Sequence, residues 1–159
     1  MRILFGCVAM HLVLAMAIPS PWWVPDLTLV GLVLAIARAP HRWLPASSVA
    51  GFAALLWTVR FPQPILAGYL LLGWLLHATA TPWDLDDLRV QSLLVGLASL
   101  LMTAGGLWLE ETASLPLVGW ASVRVALTLL SLPVVRSLGV LPRRRGTALP
   151  VRRLPSSEP

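Results

Sequence analysis

Apolar residues run through this chain in long blocks, and the breaks between them mark six candidate spans at about 3–18, 21–38, 46–60, 64–80, 88–109 and 115–137. A helix rising about 1.5 Å per residue needs about 20 residues to cross a hydrocarbon layer about 30 Å thick. Several of the six are shorter, so their helices would have to recruit interfacial residues. The breaks have physical causes. Pro19 and Pro21 close the first span, Pro40 and Pro45 bracket a loop, and Pro62 with Pro64 predicts a tight turn, since proline lacks the amide a helix interior needs. In Thr81-Pro82-Trp83-Asp84 a capping residue precedes a proline at the first helical position and an acid in the first turn, which predicts a helix start. From residue 138 the blocks give way to Pro142, Pro150, Pro155 and Pro159 among arginine clusters, a composition that cannot bury a core. The expected organisation is an all-α transmembrane bundle over residues 1–137 and a basic, disordered tail over 138–159, with no internal repeat and no second domain.

Composition supports the bilayer as solvent. Hydrophobic residues make up 57% of the chain and charged residues 12%, against about 25% charged in a typical soluble domain. All twelve basic residues are arginine, and seven of them lie from Arg124 onward. Such a basic end following a hydrophobic span reads as a topology signal and a contact for anionic membrane lipids, not as a nucleic-acid surface. With the N-terminus inside, the cytoplasmic segments hold ten arginines: Arg2, Arg38, Arg42, Arg89, Arg136, Arg143, Arg144, Arg145, Arg152 and Arg153. The far side holds Arg60, and Arg124 lies within the last span. This asymmetry predicts an even number of spans with both termini cytoplasmic. Trp22, Trp23, Trp43, Trp83, Trp108 and Trp120 fall near span ends, as interfacial rings do, while Trp57 and Trp74 lie deeper and read as packing residues.

The first span carries an alternative. Arg2, the apolar run and Ala15-Met16-Ala17 resemble a signal peptide with a small-residue cleavage site. The residues after it, Ile18 to Val24, stay apolar, and the uncleaved helix is the preferred reading. Cleavage would leave the remaining orientation unchanged. The single cysteine, Cys7, has no internal disulfide partner and leaves the redox compartment open.

Candidate chemistry is sparse. His11, His41 and His77 are scattered over two spans and a loop without a nucleophile and acid nearby, so no catalytic triad is expected. His11 and His77 at unequal depths read as polar residues packed inside the bundle and not as haem ligands. No metal-ligand spacing or phosphate-binding glycine loop occurs, so no cofactor, metal or enzymatic activity is expected. The fifth span has the clearest pattern: Ser92, Gly96, Ser99, Thr103 and Gly106 recur along one narrow stripe of small residues. Such a stripe lets another helix come close, and packing within this chain's own bundle is preferred over a partner interface. A shorter version is Ser47, Gly51 and Ala54. Arg124 is the intramembrane charge, expected to snorkel to the non-cytoplasmic interface or to pair with Glu110 and Glu111. Asp26, just after Pro25, is placed to cap the second helix. The acids Asp84, Asp86 and Asp87 read as solvated.

A proline-aspartate-leucine helix start at Pro25, Asp26 and Leu27, a loop from Arg38 to Pro45, a Gly-Phe pair at Gly51 and Phe52, and a further glycine at Gly68 occur in that order over roughly residues 20–80. This arrangement resembles MreD, the small membrane protein of the bacterial rod-shape-determining system. The family often has an acid after the Gly-Phe helix, whereas Trp57 to Arg60 supply none, so a role tied to that acid has no residue here. The resemblance implies a six-helix fold similar to the substrate-binding subunits of energy-coupling-factor transporters and no enzymatic activity. It also implies a scaffold role beside an MreC-type protein and other cell-wall elongation proteins at the bacterial inner membrane. Two other readings stay open. One is a substrate-binding subunit of a vitamin-type transporter; the other is an accessory subunit of a membrane redox or photosynthetic complex.

Overall fold

A computed structural model describes residues 1–56, 62–80, 83–85, 87–109 and 115–137. They form α1 (Arg2–Ala17), α2 (Leu27–Arg38), α3 (Trp43–Leu55), α4 (Pro62–Thr79), α5 (Leu88–Leu109) and α6 (Leu115–Val135). Short 3₁₀ turns at Pro21–Trp23 and Pro40–Arg42 flank α2, and there is no strand among the described residues. The tail at 138–159, Arg60, Trp57, Asp86, Glu110 and Glu111 lie outside the described residues.

The first, fifth and sixth spans match α1, α5 and α6 closely, but the second, third and fourth shift where proline behaves differently from expectation. The second helix starts at Leu27 and not near residue 21, because Pro25 and the cap Asp26 delay it. Pro45 does not bound a loop; it lies in the first turn of α3, where its missing amide has no intrahelical partner to lose. Pro64 likewise sits in the first turn of α4. Of the helix start expected at Thr81-Pro82-Trp83-Asp84, Thr81 and Pro82 lie outside the described residues, and the helix comes later: Asp84 and Asp87 form a turn, and Asp87 accepts from the Arg89 amide as α5 begins.

At the centre is α2, whose residues Leu27 to Ile36 are all buried. An almost wholly apolar helix has no polar face to offer water, and here α1, α3, α4, α5 and α6 all pack on it. Small residues set the close approaches. A Cβ on Gly31 would fall 2.7 Å from Cys7 Cβ, so α1 rests directly on α2, and one on Gly73 would collide with the Ser47 side chain of α3. Neighbouring helices run antiparallel, as Trp43 stacked on His77 (α3 with α4) and Arg136 bonded to Gln91 (α6 with α5) show. Arg2, Arg38, Arg42, Arg89 and Arg136 consequently sit at one end of the bundle.

The outer surface is apolar. Met16 is 81% exposed, Trp108 79% and Leu130 67%. Among the described residues two helices, α5 and α6, are long and apolar enough to cross a membrane, and only 22% and 17% of their apolar windows are buried within the chain. The core helix of a soluble protein would be mostly buried. Trp74, expected to pack at depth, is instead 51% exposed on the outside of α4.

Candidate functional site

The polar groups of the bundle converge where the chain enters α2. At about 1.5 Å per residue the twelve residues of α2 extend about 18 Å, too short to cross the bundle. Val24 to Asp26, between the 3₁₀ turn and α2, therefore lie inward as non-helical backbone. Non-helical backbone at such depth needs partners from the surrounding protein, since an unpaired buried amide or carbonyl is costly. Each is supplied by a different helix. The Pro25 carbonyl lies 3.0 Å from His11 Nδ1 of α1. The Asp26 amide donates to Thr128 Oγ1 of α6 at 2.9 Å, and that hydroxyl in turn donates to the Arg124 carbonyl at 2.8 Å.

The Asp26 side chain completes the junction. Its Oδ1 accepts from the Leu29 amide at 3.1 Å, the N-cap expected of it, and the buried Tyr69 of α4 interacts electrostatically with the same carboxylate. Arg124 Nη2 lies 3.8 Å from Asp26 Oδ2, with the Arg side chain 29% exposed and the Asp side chain 14%. That distance makes an ion pair but not a hydrogen bond. Arg124 thus turns to Asp26 and does not snorkel to the helix end. One turn toward the start of α6, Trp120 packs on Trp23 with ring centroids 5.7 Å apart, closing the junction from that end.

Of the positions singled out in the sequence, the structure gathers some and disperses others. Pro25, Asp26 and Arg124 meet directly. Gly51 joins them at one remove, because a Cβ there would lie 3.4 Å from Tyr69 Cβ and 2.7 Å from Leu66 Cδ1. Phe52 is 61% exposed and points away, and Gly68 faces Met102 of α5. The small-residue stripe of α5 divides: Ser99 is buried and Gly96 meets Leu129 of α6. Ser92 and Thr103 are half-buried, and Gly106 opens on space. Tyr69 and Thr128 were not legible as site residues. Two signals pointed to them: Tyr69 is the chain's one tyrosine, and Thr128 is one turn from Arg124 on the same face.

His77 lies at the arginine end, stacked on Trp43, so the two histidines do not face each other across a cofactor space. Its Nδ1 has no hydrogen-bond partner among the described residues. No group of three or more His, Cys, Asp or Glu that could hold a metal ion occurs among the described residues. Comparison with protein-family models, with curated proteins and with solved structures finds no match. The site's role therefore rests on its geometry.

Proposed function

We propose that the chain is a six-helix integral protein of the bacterial inner membrane with both termini cytoplasmic, acting as a scaffold of the cell-shape and peptidoglycan-elongation machinery through protein contacts. The observation that carries this reading is the distribution of surface. Large apolar side chains cover the outer faces of the helices, while Arg2, Arg38, Arg42, Arg89 and Arg136 gather at one end. That pairing fits a bilayer slab with a cytoplasmic arginine rim. α2 is too short to span alone and on this reading is an interior helix entered from the far side through the Asp26 junction.

The rod-shape assignment rests on the resemblance. It is supported by the packing of Gly51 on Tyr69 and the electrostatic interaction of Tyr69 with Asp26, which join residues of the Pro-Asp-Leu and Gly-Phe positions in one cluster. Close packing around Leu27 to Ile36 favours a scaffold over a vitamin carrier, which needs a ligand cavity between its helices. Affinity purification of the full chain from its native membrane tests the reading: a single-span, coiled-coil protein of the MreC type is expected to co-purify. Strong thermal stabilisation of the purified protein by one vitamin would overturn it in favour of the transporter subunit. A visible absorbance band from a bound pigment would favour the redox or photosynthetic accessory.

A further inference from the structure

Arg124 sits mid-way along α6, nine residues after Leu115 and eleven before Val135, or about 14 and 16 Å from the two ends. A guanidinium has five N–H donors in a fixed fork. Here the side chain is 29% exposed, its ion pair to Asp26 is 3.8 Å long, and it makes no hydrogen bond among the described residues. The acceptor side is better filled, since the Asp26 carboxylate already takes the Leu29 amide and interacts with the buried Tyr69. The junction is therefore neutral in charge but has donors to spare, and in hydrocarbon those donors need acceptors.

We propose that Arg124 is the docking point for a transmembrane helix of a partner protein that presents a neutral hydrogen-bond acceptor, an amide or hydroxyl side chain, at mid-membrane depth. This rests on the membrane reading above. Charge complementarity selects the class of acceptor. Asp26 already balances Arg124, so a second carboxylate would leave the site with a net negative charge in low dielectric, whereas an amide or hydroxyl satisfies the fork without adding one. The surface beside it suits a helix. Trp120, Arg124, Leu127 and Ser131 fall in one row at offsets of 4, 7 and 11, and all four are at least partly exposed. An approaching helix would meet an aromatic side chain, a donor fork, an apolar seat and a hydroxyl in turn.

The test uses the full chain reconstituted in phosphatidylcholine vesicles, with dansyl-labelled single-span Leu/Ala peptides as probes and energy transfer from the protein's tryptophans as readout. A peptide with Asn at its centre is expected to bind about tenfold tighter than one with Leu there. Moving the Asn seven residues toward either end should abolish the preference, a control that needs no variant. In Asp26→Asn/Arg124→Met, which keeps a capping side chain but removes the fork, the two central peptides should bind alike. Equal binding of Asn and Leu peptides to the unmodified protein would overturn the proposal. So would a preference for a central Asp over Asn, or Arg124-dependent energy transfer between two labelled copies of the chain that excludes the peptide. If the protein does not float with vesicles at all, the membrane reading itself fails, which is distinguishable from loss of the Asn preference alone.

Discussion

α2 and the α5–α6 hairpin are built from equally apolar residues, yet they meet opposite surroundings. α2 is buried along Leu27 to Ile36 and is held by close approaches at Gly31 and by the polar junction at Asp26. α5 and α6 are nearly twice as long and mostly uncovered, and a Cβ added at Gly105, Gly106 or Gly119 would meet no other part of the chain within 4 Å. Apolar composition alone therefore does not say whether a helix is core or lipid-facing. Length and the position of small residues separate the two: the short apolar helix is covered by its own chain, whereas the two long ones, long and apolar enough to cross a membrane, leave most of their surface bare.

The largest expected effect lies at the close approach between α3 and α4. Gly73→Val would drive side-chain atoms into Ser47 and force α3 from α4, costing about 3 kcal/mol by overpacking. A large fall in the thermal unfolding midpoint of the detergent-solubilised protein checks it. Next is Arg124→Ala, which leaves the Asp26 carboxylate without its cation. About 2 kcal/mol of stability should be lost, less than for a fully buried pair because both groups are partly exposed. Asp26→Asn in the same chain should recover part of that loss, and a double-mutant cycle on unfolding midpoints measures the coupling. Thr128→Val removes the acceptor for the Asp26 amide while keeping side-chain shape, and should cost about 1 to 2 kcal/mol. Its companion, Ser122→Ala on the same helix, touches only an exposed hydroxyl bonded within α6 and should change little. At the small end, Gly106→Ala meets open space and should leave stability unchanged or raise it by about 0.5 to 1 kcal/mol through helix propensity. A loss at Gly106 as large as at Gly73 would erase the distinction between the two regions.

The junction was half legible. Asp26 after Pro25 announced a helix cap, because a short acid following proline has few other uses, and Arg124 stood out as a charge inside an apolar run. Their pairing was not legible. The acids nearest in sequence, Glu110 and Glu111, were the natural candidates, whereas the partner found lies 98 positions earlier and is brought to α6 only by the antiparallel packing of the bundle. His11 read correctly as a polar residue packed within the bundle, but its task, holding the Pro25 carbonyl, depends on how deep the non-helical entry runs.

Read alone, the chain determined that it folds as helices, where α5 and α6 begin and end, that Asp26 caps the second helix, and that basic residues cluster toward one side. These follow from local chemistry: proline's missing amide, a carboxylate near free amides, and the length of uninterrupted apolar runs. Tertiary structure alone decided which apolar helix is central, which glycines are contact points, and which acid neutralises Arg124. Those outcomes depend on distances between residues remote in sequence, and a helix whose residues are apolar on every side carries no periodic mark of the face it will bury.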